Sequence, residues 1–397
     1  MKYITVHQAA QAWNISERRV QKYCTQGRIP GARKFGHAWQ IPASAPKPAD
    51  ARTAAPEHPA PARSKSTGSR AALMPLMNTP FSPGQCRGVL QAMPEGPNRD
   101  IAVAEYLYFS GQAEAAARAA ERYLHARSRE TRLSANLLYA YANLSAGRIR
   151  QVRRALGEVQ HTLTADRDPQ RSAAALFVAA TASVLLHLPL PEDMPPAREF
   201  LPLLPPGLRA FALYVQAHYL YLREDYEKSA GMVEATLAMG AEAYPIPAIY
   251  LHLVAVMDYM SLRRPQSAQA HLLAAWDKAR PDDLIEAFGE HHGLLGGMLE
   301  AVIKPAWPED FRRIIEITYR FSAGWRKVHN PDTGDTVADN LTTTEFSMAM
   351  LAARGWTNQE IAAHLNLSAN TVKRYLSKAM AKLGVTHRQD LKRYMLQ

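Results

Sequence analysis

At 397 residues, 47% of them apolar, the chain is too long for one compact core and rich enough to build two or three. Lys and Arg number 47 against 36 Asp and Glu, and the two cysteines, Cys24 and Cys86, exclude a disulfide framework or a cysteine-based zinc site as the organising element. The basic excess lies at the ends: residues 1–50 hold eight basic and two acidic side chains and 342–397 hold eight and three, whereas 73–341 hold 27 and 30. Two basic ends around a faintly acidic middle point to a polyanionic partner at each end.

At the N-terminus, MKYITVHQAAQAW contains no apolar run of signal-peptide length, so a cytoplasmic protein is expected. Thr5 with Gln8 forms a capping box that opens a helix carrying Val6, Ala9, Ala10 and Trp13 on one face. Asn14-Ile15-Ser16 then turns the chain, and Ser16 with Glu17 caps a second helix. Val20, Tyr23 and Cys24 are expected to face inward there, and Arg18, Arg19 and Lys22 outward. Gly27 ends this helix, and Ala32 to Ile41 reads as a hairpin turning near Gly36, with Arg33, Lys34 and His37 exposed. The runs Ile4-Thr5-Val6, Ile15-Ser16-Glu17-Arg18-Arg19-Val20-Gln21 and Gly27-Arg28-Ile29-Pro30-Gly31-Ala32 resemble the small excisionase-like, MerR-related winged helix domains. The resemblance implies a DNA-binding domain over residues 1–42, with Ser16, Arg18, Arg19, Lys22, Arg33, Lys34 and His37 as its DNA-facing positions. Such a domain is small enough to bind weakly alone and to act through tethering.

From Pro42 to Ala72 no Val, Ile, Leu, Met, Phe, Trp, Tyr or Cys occurs, while Pro appears six times. Residues 43–72 are therefore expected to be a disordered linker.

Residues 73–321 are expected to be helical throughout, since apolar residues recur at three and four. Segments 101–124, 137–159, 213–237 and 249–276 share one layout, two helices around a tight turn, with turns at Gly111, Gly147, Glu224 and Arg264. The spacing resembles the tetratricopeptide repeat class, Tyr221-Leu222-Arg223-Glu224-Asp225-Tyr226 being the nearest match. That implies an α-solenoid whose concave face takes a protein, peptide or small-molecule effector, or an inert spacer that helps dimerise. A further helix is expected in Ala173–Leu188, which is shorter than the roughly 20 residues a bilayer demands.

Turn-formers at Asn330-Pro331-Asp332 and Thr333-Gly334-Asp335 suggest a second linker at 322–340. Beyond it, Thr342 with Glu345 and Thr357 with Glu360 are capping boxes, and Ser368 is a third cap. Helices are thus expected to start near 343, 358 and 369, the last two separated only by Asn366-Leu367, the short connection of a helix-turn-helix. In the third helix Val372, Leu376, Ala379, Met380 and Leu383 form the apolar stripe, and Asn370, Lys373, Arg374, Ser377, Lys378 and Lys382 the opposite face. Leu341-Thr342, Glu345, Gly355, Glu360-Ile361-Ala362, Ser368, Thr371-Val372-Lys373, Leu376 and Lys382-Leu383-Gly384-Val385 closely resemble the LuxR-type DNA-binding domain over 341–397. This implies a four-helix fold in which Lys373, Arg374 and Ser377 face bases and Thr371, Lys378 and Lys382 face phosphates. It also implies a dimerising last helix with Leu391, Tyr394 and Met395 at the seam. Thr344, Ser347 and Tyr375 stand where the family usually has Arg, Glu and His.

Glu290-His291-His292 is the one dense metal-type cluster, but adjacent histidines leave a helix on different sides, so a satisfied surface pair is expected and no metal. Arg148, Arg150, Arg153 and Arg154 read as a solvated helix surface. No phosphate-binding loop, receiver-like strand and helix alternation or nucleophile elbow occurs, so neither cofactor nor catalysis is expected. The expectation is a mainly α, non-enzymatic, homodimeric regulator that binds double-stranded DNA away from any membrane. The alternative is a DNA-tethered interaction scaffold or an architectural factor in recombination.

Overall fold

The computed structural model describes residues 3–47 except 14, 27, 28, 37 and 44, then 72–163, 173, 177, 181, 197–329 and 341–395. Nearly all of the linker expected at 43–72, the 330–340 stretch of the second linker, most of the helix expected at Ala173–Leu188, and His37 therefore lie outside the described residues. The chain forms two compact units, Met1–Gly68 and Ser69–Gln397.

In the first unit, α1 (Val6–Trp13) and α2 (Glu17–Thr25) pack beside a three-stranded sheet of β1 (Tyr3–Ile4), β2 (Arg33–Phe35) and β3 (Ala38–Pro42), with β3 in the centre. The expected hairpin is β2 and β3, paired Arg33 with Gln40 and Phe35 with Ala38 around Gly36 at φ +59°. Strand β1, which the sequence did not announce, adds Tyr3 opposite Pro42 and Ile4 opposite Ile41. The Thr5–Gln8 box is formed in both directions, at 3.0 and 3.2 Å. Ala9, Val20, Tyr23, Cys24, Ile29 and Ile41 make the buried core. Burial also raises the Cys24 thiol above its ordinary value.

The second unit is helical. Its longer helices are α3 (Cys86–Ala92), α4 (Pro97–Phe109), α5 (Ala113–Glu121), α6 (Arg129–Ser145), α7 (Ile149–Leu163), α8 (Pro206–Leu222), α9 (Tyr226–Ala238), α10 (Pro245–Ser261) and α11 (Pro265–Ala279). After them come α12 (Glu286–His291), α13 (Pro308–His329), α14 (Thr343–Ala353), α15 (Asn358–Leu365), α16 (Ala369–Lys382) and α17 (Leu391–Met395). From α4 to α7 and from α8 to α11, each helix packs on its chain neighbours.

The four inter-helix turns share one terminator. Gly111, Gly147, Glu224 and Arg263 adopt φ of +81°, +70°, +59° and +60°. Beyond each, the next amide bonds back across the last turn: Gln112 to Leu107 and Arg148 to Asn143 at 2.8 Å, Asp225 to Leu220 at 3.0 Å, Arg264 to Tyr259 at 2.8 Å. This is a Schellman-type end, which favours glycine because a Cβ is strained at positive φ. Glu224 and Arg263 adopt it without that freedom, and the left-handed residue of the fourth turn is Arg263 rather than the expected Arg264.

One continuous core runs from Leu73 through Leu251 and Trp276 to Val372 and Met395, so the C-terminal helices and the helical body are a single packed structure. Helix α13 continues through His329, past the boundary expected at 322. It returns to pack on α6 and α12. Ile314 and Ile317 are buried there, and Arg320 reaches Ser145 Oγ and Glu286 Oε2 at 2.9 Å each.

His291 and His292 are not at the surface: they are 4% and 2% exposed. They do leave the helix on different sides. His291 Nε2 meets the Tyr214 hydroxyl at 3.0 Å, while His292 Nε2 meets Glu300 Oε1 at 2.9 Å. Beside them, Tyr108 and Tyr250 donate their hydroxyls to the half-buried Glu290, whose carboxyl is raised by desolvation against the pull of those two bonds. Among the described residues no His, Cys, Asp or Glu group has metal-site geometry, and no helix is long and apolar enough to cross a membrane.

Candidate nucleic-acid interface

The three caps read from the sequence set the C-terminal helices. Thr342 and Glu345 exchange bonds at 2.9 and 3.3 Å, Thr357 and Glu360 at 2.6 and 3.2 Å, and Ser368 Oγ accepts from the Thr371 amide at 3.1 Å. Between α15 and α16, Asn366 takes φ +53° and the Leu367 amide bonds to the Ala362 carbonyl at 2.8 Å, which turns the chain within two residues. Asn tolerates this conformation better than most residues.

Val372, Leu376, Ala379 and Leu383 anchor α16 in the core. Its other side, Asn370, Lys373, Arg374, Ser377, Lys378 and Ala381, forms one exposed stripe. Lys373 and Lys378 make no ion pair with any described residue, and Arg374 lies only near the Tyr375 ring, 5.6 Å from its centroid. An α-helix is about 10–12 Å across and a major groove about 12 Å wide, so such a stripe can enter duplex DNA.

Other expected contacts are engaged elsewhere. Lys382 Nζ binds Glu345 Oε2 at 2.6 Å: it lies one turn beyond Lys378 on the same side of the helix, and its long flexible stem reaches the first cap. Burial of Glu345 opposes ionisation, but Lys382 and the Thr342 amide hold its carboxyl below the ordinary value. The Thr371 hydroxyl lies 2.8 Å from Ser368 Oγ. Of the expected seam, Leu391 and Met395 are 0% and 4% exposed and sit in the core, and Tyr394 is half-buried. Helix α17 packs on α14, which accounts for that burial.

The inward side of the domain meets the helical body. Arg354, at the end of α14, donates to the Tyr221 hydroxyl at 2.6 Å and the Leu294 carbonyl at 2.8 Å. Ser347 Oγ donates to Glu300 Oε1 at 3.0 Å. Burial pushes the Glu300 carboxyl up, yet His292 and Ser347 together hold it below its ordinary value. Arg263 pairs with Glu360 at 3.5 Å and donates to the Gly355 carbonyl, and Lys392 pairs with Glu224 at 3.3 Å. The seat is made of glycine: a Cβ at Gly293 would stand 2.5 Å from the Phe346 ring, and one at Gly297 3.0 Å from Leu365. Ser347 was visible as a departure from the usual family residue, but its partner lies 47 positions away, beyond any local pattern.

Residues 339–395 match the family described as bacterial regulatory proteins, luxR family. They form a LuxR-family helix-turn-helix domain. The chain is also 33% identical over 66 residues to the HTH-type transcriptional regulator MalT of Klebsiella pneumoniae, 16% of this chain and 7% of that protein. It thus spans a small fraction of that relative's length. No solved structure matches the chain. Within the LuxR-family domain, α15 and α16 are the two helices joined by the short Asn366–Leu367 turn.

In the first unit, Arg18, Lys22 and Lys34 are exposed, as is Ser16, which stands at the N-cap of α2 without a side-chain cap bond. Arg19, expected to point outward, lies along its helix and donates to the Tyr23 hydroxyl at 3.3 Å. Arg33 is drawn onto the sheet, with its guanidinium 4.5 Å from the Tyr3 ring centroid and a 3.3 Å bond to Gln40. Glu17 is paired with His7 at 2.6 Å.

Proposed function

We propose that this protein is a DNA-binding transcription regulator that reads sequence with α16 and performs no catalysis. The observation that carries the reading is the outward stripe of α16, where Lys373, Arg374 and Lys378 stand exposed without ion pairs among the described residues, inside the LuxR-family match. Isolated cations with no structural partner are what phosphate and guanine contacts require. The name of the similar MalT protein, a transcriptional regulator, is consistent with this.

In the same reading, the first unit is a winged helix that adds a second, weaker DNA contact: α2 brings Arg18 and Lys22 to the groove and the β2–β3 hairpin brings Lys34 to the backbone. The helical body acts as a tetratricopeptide-like platform for a protein or small-molecule effector, and the chain works as a cytoplasmic homodimer on paired half-sites.

Binding of the full chain to a selected duplex and to random duplex, across a salt series, tests the central claim. Lys373→Ala is expected to lower the preference for the selected site, whereas Lys378→Ala weakens both duplexes alike and reduces the salt slope by about one unit. Equal loss on both duplexes for both variants contradicts it.

A further inference from the structure

Resting on the DNA-binding reading, we propose that Asn370 is a specificity-determining residue that selects an adenine beside the bases met by Lys373 and Arg374. Asn370 is the second residue of α16 and is exposed. Its neighbours in the first turn serve the helix: Ser368 accepts from the Thr371 amide, and the two hydroxyls lie 2.8 Å apart. The Asn370 carboxamide takes no part, and makes no hydrogen bond to any other described residue. Asn is a poor helix former whose usual local roles are capping and turn bonding, and here it fills neither.

Asn370 instead shares the exposed stripe with Lys373, Arg374, Ser377, Lys378 and Ala381. Offsets of three, four, seven, eight and eleven keep these side chains on one helical face. The N-terminal residues of a recognition helix are the ones that reach base edges. Chemistry then chooses the base. A carboxamide offers one acceptor and one NH2 donor side by side, which matches the N6 donor and N7 acceptor of adenine. The O6 and N7 of guanine are both acceptors and suit Lys or Arg instead. At 1.5 Å per residue, Asn370 and Arg374 are separated by about 6 Å along the helix, roughly two base steps of about 3.4 Å. The half-site should therefore hold an adenine within about two base pairs of a guanine.

The test is selection of binding sites from a random duplex pool by the full chain, comparing the wild type with Asn370→Ala and Asn370→Arg. Neither variant removes a bond from the fold. The wild type is expected to return the adenine and guanine at that spacing. N370A should lose preference at the adenine position alone, by about 5- to 150-fold, and N370R should convert that position to guanine. A uniform loss across all sequences marks a phosphate contact and overturns the assignment. Unchanged selection by N370A overturns it as well while leaving the DNA-binding reading intact. A wild type that enriches no sequence overturns both.

Discussion

The two sides of the LuxR-family domain carry similar side chains and opposite accounts. On the body-facing side, Arg354 meets Tyr221 and Leu294, and Lys392 meets Glu224. Arg388, which lies near Asn358 and the Trp356 carbonyl, is likewise engaged. On the α16 stripe, Lys373 and Lys378 meet no acidic partner among the described residues. The difference teaches that basic character alone does not tell the two sides apart. What separates them is whether the protein's own architecture answers the cation.

Arg354→Ala attacks the body-facing side most directly. Losing two hydrogen bonds from a charged donor is expected to destabilise the second unit by about 1.5–3 kcal/mol, read as a lower urea midpoint of the full chain. A midpoint unchanged from wild type would mean that the seam between body and domain contributes little. Lys382→Ala sharpens the comparison, because by sequence it belongs with Lys378 and by geometry with the paired cations. Its partly exposed ion pair should be worth at most about 1 kcal/mol, and the salt slope of DNA binding should stay at the wild-type value. A slope reduced as much as in Lys378→Ala would return Lys382 to the phosphate contacts.

The smallest effect concerns pH. Burial pushes the Asp258 carboxyl up to about 8, with Ser229 and the Arg354 guanidinium pulling the other way. A carboxyl raised in the folded state binds more protons there than when unfolded, so its contribution to stability falls as pH rises from near 4 to about 8. Asp258→Asn should flatten the decline in thermal midpoint over that window, and an unaltered decline would show that this group ionises freely.

Capping made much of the fold legible. Thr5, Thr342, Thr357 and Ser368 are local signals whose bonds close within three residues, and they placed four helix starts correctly. The α16 stripe was legible for the same reason, since its period is set by one helix. Long-range closure was not legible. Ser145, Glu286 and Arg320 come from three helices, and nothing in the spacing of α13 announces that it returns to α6. The surface position expected for His291 and His292 failed likewise, because their partners Tyr214 and Glu300 lie on other elements. Lys382 shows the limit within one helix: periodicity says which side a residue occupies, and not which acceptor its flexible stem will find.

The contact between Gly293 and Phe346 has a consequence for how such a joint can change over generations. Because the socket is shaped by missing atoms, a single added methyl at position 293 would press on the Phe346 ring and strain the seam with its cross-pairs, while the helix caps and the exposed stripe of α16, which lie within the domain, keep their own bonds. The grip of the helical body on the C-terminal domain can therefore be loosened by one carbon, without altering the exposed face of that domain.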